Sequence, residues 1–139
     1  MSITLNQIVI GDNKPFVLIA GPCVVENEKM ILETAEAIKK ITSEIGVPFI
    51  FKSSFKKANR TNLRSFTGLG DEESIIILKK VKEQLKLSVV TDIHTESDVE
   101  IVSEAVDILQ IPAFLSRQTD LLIAAGKSGK VVNIKKGQF

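Results

Sequence analysis

The chain has 139 residues, 44% of them hydrophobic and 25% charged, with a net charge of +1, which is enough for one domain with a core and excludes a disordered chain. The charge balance argues against general nucleic-acid binding, and with no Trp or Tyr there are few platforms on which bases could stack. No apolar run is long enough to span a membrane, the first residues (MSITLNQIVIGDNK) lack the regions of a signal peptide, and the single cysteine forms no internal disulfide and suits a reducing cytoplasm.

Residues 3–10 alternate weakly and end at the turn signal Gly11-Asp12-Asn13. They read as a short strand, one arm of a hairpin that returns through residues 14–16. Residues 16–20 (FVLIA) form a near-continuous apolar run of the kind found in strands buried on both faces of a parallel sheet. The run ends at Gly21-Pro22-Cys23. A helix over about residues 27–45 follows, with Ile31, Ala35, Ile38, Ile41 and Ile45 on its apolar stripe, and Gly46 and Pro48 ending it.

The second parallel strand covers residues 49–53. It runs into a loop, KSSFKKANRTNLRS, that holds cations, amides and hydroxyls but no acid. A cationic loop after a buried strand reads as a phosphate or carboxylate site, or as a solvated basic loop that binds nothing. A second helix over about 72–86 buries Ile75, Leu78, Val81 and Leu85. A strand at 88–92 leads to Ile93-His94. Thr95 and Asp98 then suggest a capping box opening a helix over about 96–105. Residues 108–111 form a strand closed by Pro112, residues 117–127 a helix, and residues 131–134 a fifth strand of the series.

Repeated strand–helix units imply right-handed parallel βαβ connections. They fit either an open doubly wound sheet or the first half of an eight-stranded (β/α) barrel, for which roughly 250 residues are typical. Either way the ligand face lies at the carboxyl ends of the strands. Those ends carry Cys23 with Glu26, Lys52 with Ser54 and Lys57, Asp92 with His94, Gln110 through Ala113, and Lys135-Lys136. The recurring cations suit a doubly anionic or doubly phosphorylated set of ligands. Cys23 reads as a small buried hydrophobe, a nucleophile or a metal ligand. His94, two residues from Asp92, reads as a mouth residue or as a hydrogen-bonded supporting group.

Several motifs together resemble one family. They are Ile19-Ala-Gly-Pro-Cys23, Phe51-Lys-Ser-Ser-Phe55 with Lys57-Ala-Asn-Arg60, Thr91-Asp-Ile-His94, Gln110-Ile-Pro-Ala-Phe114 with Arg117-Gln-Thr-Asp120, and Val132-Asn-Ile-Lys-Lys-Gly-Gln-Phe139. In order and spacing they are similar to the 3-deoxy-D-manno-octulosonate 8-phosphate synthases, or 2-dehydro-3-deoxyphosphooctonate aldolases. The related 3-deoxy-arabino-heptulosonate 7-phosphate synthases share the Gly-Pro-Cys turn but not the loop from Lys52 to Arg60.

The resemblance implies a TIM-type (β/α) barrel, of which residues 1–139 are a single-domain N-terminal part, and a cytoplasmic homo-oligomer, a tetramer in the family. It implies condensation of phosphoenolpyruvate with arabinose 5-phosphate and water in the synthesis of a lipopolysaccharide precursor. It further implies a phosphoenolpyruvate site from Lys52, Ser54, Lys57, Gln110, Ala113 and Lys135. Asn59, Arg60 and Thr61 would form an arabinose 5-phosphate site, which Arg117 reaches across a subunit interface. Lys57, Asp92 and His94 would be catalytic, and Cys23 would be one ligand of a divalent metal ion, with further ligands from later strands. Thr61 stands for the family's usual Ser, Lys56 for its usual Asp, and Thr67 for an Arg. The span alone is then expected to be inactive; a non-catalytic phosphate-binding α/β domain and heptulosonate synthase activity are the alternatives.

Overall fold

A computed structural model describes residues 2–58, 62 and 64–137. A two-stranded antiparallel hairpin comes first, β1 (Ser2–Leu5) and β2 (Ile8–Gly11). A five-stranded parallel sheet follows: β3 (Leu18–Ala20), β4 (Phe49–Lys52), β5 (Ser88–Asp92), β6 (Ile108–Ile111) and β7 (Val131–Ile134). The helices α1 (Glu28–Glu44), α2 (Asp71–Leu85), α3 (Glu96–Ala105) and α4 (Thr119–Lys127) alternate with these strands.

The strand order is β3-β4-β5-β6-β7, with every neighbouring pair parallel. A doubly wound sheet reverses its order at a switch point and covers both faces with helices. Here the order never reverses. One core joins Ile31 and Ala35 of α1, Leu78 and Val81 of α2, Val102 of α3 and Ala125 of α4 to Phe51, Val89 and Leu109 of the sheet. All four helices therefore cover one face, and the sheet is the curled, singly wound portion of a barrel-type α/β architecture.

Strand alternation decides what the other face holds. Phe49, Phe51, Val89, Leu109 and Ile111 point to the helices. Ile50, Val90 and Ile108 point inward, where Leu5, Ile8 and Ile10 of the hairpin pack on them. The same parity carries Lys52, Asp92, Gln110 and Asn133 to the inner face one layer higher. Asp92, Gln110 and Asn133 are direct partners in the register of β5, β6 and β7. The inner face is thus apolar and plugged at its amino-terminal end, and polar at its carboxyl-terminal end.

Three expectations change. The hairpin turns at Asn6-Gln7 instead of returning through residues 14–16. Asn6 supplies the left-handed conformation there (φ 52°), which Asn tolerates better than most residues. The apolar run at 16–20 is not buried on both faces: Phe16 is 72% exposed and Ile19 41%, because β3 pairs only with β4 among the described residues. In α1, Ile41 and Ile45 are exposed, and Thr42 takes the buried place after Ile38, turning its hydroxyl to the Ile38 carbonyl oxygen (2.8 Å). Among the described residues the main helix neighbour of α1 is α2, which leaves this flank of α1 less covered.

Gly21 joins β3 to the site loop where no side chain fits. A Cβ built there would lie 2.0 Å from the Lys52 carbonyl oxygen and 3.1 Å from the Phe51 ring, and φ is +154°. Gly21→Ala is expected to destabilise the fold by about 2–4 kcal/mol in urea unfolding; a loss below about 0.5 kcal/mol would contradict this packing.

Candidate functional site

Five strand ends converge at the polar rim. Lys52 Nζ donates to Ser54 Oγ (2.8 Å) and lies 3.4 Å from the Cys23 carbonyl oxygen. Ser54 Oγ in turn donates to Asp92 Oδ2 (2.6 Å). The other carboxylate oxygen, Asp92 Oδ1, accepts from Gln110 Nε2. Gln110 Oε1 accepts from Asn133 Nδ2 (2.9 Å). One hydrogen-bonded relay therefore runs across the tops of β4, β5, β6 and β7. Lys52 Nζ is 3.8 Å from Asp92 Oδ2, with both side chains mostly buried, so the carboxylate is both paired and hydrogen-bonded as burial of a charge requires.

Asp92 also lines a cleft of about 400 Å³ together with Ala58, His94, Pro112, Ala113, Phe114, Leu115 and Lys135. Pro112 turns the chain out of β6 into the short 3-10 turn Ala113–Leu115, which forms one wall. Lys135 is set by its N–H, which donates to the Ile111 carbonyl oxygen (3.0 Å). The cleft thus combines a cation, a carboxylate and an imidazole with apolar walls, the composition of a small-anion pocket. A larger cleft of about 510 Å³ lies at the opposite end of the sheet, beside Asn6, Gln7 and Ser88. Its Lys82 is committed to Asp107 (2.8 Å).

His94 is fixed by its surroundings. Its backbone N–H donates to Asp98 Oδ2 (2.8 Å), which also accepts from the Thr95 backbone N–H (2.9 Å) in the anticipated capping box at the start of α3. The Phe55 ring stands 6.0 Å from the imidazole. His94 Nδ1 is buried without a hydrogen-bond partner among the described residues. Burial holds the imidazole below its ordinary value of 6.5, against the opposite pull of Asp92 and Asp98. The shift favours the neutral imidazole, which has one accepting and one donating ring nitrogen.

Asp98 Oδ1 accepts from Lys56 Nζ (2.8 Å), which also reaches Asp71 Oδ2 (3.2 Å). Burial would raise the Asp98 pKa, but the Lys56 hydrogen bond and the His94 and Thr95 N–H groups outweigh it and hold the group below 3.8.

Of the anticipated residues, Lys52, Ser54, Asp92 and Gln110 form the relay, while Asp92, His94, Ala113 and Lys135 line the cleft. Ser54 is 5% exposed and spends its hydroxyl on Asp92, so it supports the site from below. Lys57 is half-buried and anchored by its N–H to the Thr67 carbonyl oxygen (2.8 Å). Arg117 is exposed beyond the 3-10 turn. Asn59, Arg60 and Thr61 lie outside the described residues.

Cys23 is an exposed free thiol. Among the described residues no group of three or more His, Cys, Asp or Glu is placed to hold a metal ion. Sequence reasoning missed Asn133; its signal is the parity of Asn133 with Gln110 across adjacent strands.

The model of the DAHP synthetase I family matches residues 1–139. The chain belongs to the DAHP synthetase I family. Within it, the chain is similar to proteins named 2-dehydro-3-deoxyphosphooctonate aldolase. That of Variovorax paradoxus (strain S110) is 58% identical over 130 residues, covering 94% of this chain and 46% of the relative. That of Geotalea uraniireducens (strain Rf4) is 53% identical over 137 residues, covering 99% and 50%. That of Rickettsia felis (strain ATCC VR-1525 / URRWXCal2) is 55% identical over 137 residues, covering 99% and 50%. The chain spans about half the length of the curated relatives it matches. No helix among the described residues is long and apolar enough to cross a membrane.

The burial of His94 has a pH consequence. Its folded pKa lies below 6.5. As pH falls below that value the unfolded chain takes up a proton that the folded chain refuses, and stability declines until the folded pKa is passed. Asp98, also depressed, adds a second loss below about pH 3.8. Urea midpoints measured from pH 8 to 5 are expected to fall in the wild type and to fall less in His94→Gln; equal declines would contradict the assignment.

Proposed function

We propose that this chain forms the phosphoenolpyruvate-binding part of a 2-dehydro-3-deoxyphosphooctonate aldolase, which condenses phosphoenolpyruvate with arabinose 5-phosphate and water. The observation that carries the reading is the relay from Lys52 to Asn133, beside a cleft into which Lys135, Asp92 and His94 converge. The names of the curated relatives favour the octulosonate activity over the heptulosonate one.

Phosphoenolpyruvate brings a carboxylate and a phosphate. Lys52, Lys57 and Lys135 would offset their charge, with Gln110 and the backbone at Ala113 orienting them. Asn59, Arg60, Thr61 and Arg117 would hold the sugar phosphate, Arg117 reaching the site of a second copy in a homo-oligomer. In the reaction, C3 of phosphoenolpyruvate attacks the sugar aldehyde carbon, water adds at C2, and the C–O bond to phosphate breaks. The products are 3-deoxy-D-manno-octulosonate 8-phosphate and inorganic phosphate. His94, which lines the same cleft as Asp92, would take the proton that the attacking water loses. The family's divalent metal, with Cys23 as a ligand, would require donors beyond those described, and none of these steps is routed through it.

The test is phosphate release by the intact protein supplied with phosphoenolpyruvate and arabinose 5-phosphate. Turnover is expected with this sugar and not with erythrose 4-phosphate; the reverse preference would overturn the reading. Lys52→Met is expected to lower kcat/KM by about 10²–10³-fold. Residues 1–139 alone are expected to give no turnover, and measurable turnover by that span would contradict a site completed elsewhere.

A further inference from the structure

Lys56 belongs to the basic loop by sequence, yet it is not among the residues that line the anion cleft. Its ammonium passes over the face of the Phe55 ring, 4.7 Å from the centroid. It ends between Asp98 Oδ1 (2.8 Å) and Asp71 Oδ2 (3.2 Å). Those two acids lie in the first turns of α3 and α2, where helix dipoles favour negative charge in any case. The Asp98 side chain is 8% exposed and that of Lys56 27%, so this pair is shielded far better than an ordinary surface ion pair.

Asp98 does more than pair with Lys56. Its second oxygen receives the N–H groups of His94 and Thr95. One carboxylate thus joins the loop after β4 to the turn after β5. Phe55 is caught in the junction, fully buried against His94, with its own N–H donating to Thr91 Oγ1 (3.0 Å). Lys57, the next residue after Lys56, inherits its place from this anchorage and from its own N–H bond to Thr67.

We propose that Lys56 and Asp98 are positioning residues: their ion pair straps the basic loop to the rim and sets Lys57 and His94 relative to each other, while Lys56 itself binds no anionic ligand. The loop then contributes Lys52 and Lys57 to the ligand face, and Lys56 to the scaffold. A free Lys56 would instead add a competing cation beside the cleft.

The strap is tested by amide hydrogen exchange on the intact protein and on Lys56→Met, Asp98→Asn, the double variant and Lys56→Arg. Asn keeps an oxygen for the His94 and Thr95 N–H groups, so Asp98→Asn removes chiefly the charge. Exchange at Phe55 and Lys57 is expected to rise about tenfold in each single variant and no further in the double, with Lys56→Arg near wild type and the sheet amides of Val89 and Leu109 unchanged. Unchanged exchange at Phe55 and Lys57 in both single variants would overturn the strap. Should Asp98→Asn fail to fold, as accelerated sheet amides would reveal, Lys56→Met and its rescue by Lys56→Arg decide the matter.

A second arm measures phosphoenolpyruvate binding and rests on the proposed function. Both single variants are expected to weaken binding about fivefold, to the same extent and non-additively. Tighter binding in Asp98→Asn with weaker binding in Lys56→Met would make Lys56 an anion ligand and overturn the proposal. Should the wild type bind no phosphoenolpyruvate, the functional reading fails, and the exchange arm alone upholds or overturns the strap.

Discussion

The Asp92 carboxylate is the constraint on which the polar end of this sheet depends. It is a mostly buried charge at the end of β5, and an unpaired charge there would be costly. Its two oxygens take hydrogen bonds from Ser54 and Gln110, and Lys52 stands close by. Ser54 follows β4 and Gln110 lies in β6, so one side chain locks three strand ends at a common height. Gln110 can serve in this way because Asn133 satisfies its remaining oxygen. Each member orients the next, and Lys52 is held in place without a rigid loop of its own.

The chemistry of the site follows from a gradient along the inner face. Low on the sheet, Ile50, Val90 and Ile108 meet the hairpin and form a dry plug. One layer higher, the same parity delivers Asp92, Gln110 and Asn133. The cleft opens on the upper layer, where Asp92, His94 and Lys135 line it. The low pKa of His94 follows from this placement, since its burial outweighs the acids around it. The cations and carboxylates that the strands bring together therefore gather at one end of the sheet.

Much of this was legible in the sequence, for identifiable reasons. Short apolar runs bounded by Asp, Pro or Gly gave the bounds of β5, β6 and β7 correctly, and the Thr95/Asp98 pair located the start of α3. Strand-end reasoning then collected Lys52, Ser54, Asp92, His94 and Gln110 in one region. The misreadings arise where burial depends on neighbours that periodicity cannot see. Phe16, Ile19, Ile41 and Ile45 have the right pattern but lie at the flank of the sheet or helix layer. The strand over residues 3–10 broke at Asn6 because a left-handed Asn leaves no mark in a weakly alternating run. Asn133 was missed because its value lies in the β6–β7 register, and the role of Lys56 because its acids come from two distant helices. Nor did the strand–helix alternation choose between a partial barrel and a doubly wound sheet; the unbroken strand order argues against the doubly wound one.

The most direct measurement is a calorimetric titration of the intact protein with phosphoenolpyruvate, comparing wild type with Asp92→Asn. A carboxylate beside an anion site repels the ligand, so if Asp92 acted only through its charge the variant would bind more tightly. If it acts by holding Lys52 and Gln110 in place, the variant binds more weakly, by about tenfold for the loss of one charge-assisted contact. The relay predicts the weaker binding; unchanged or tighter binding would contradict it.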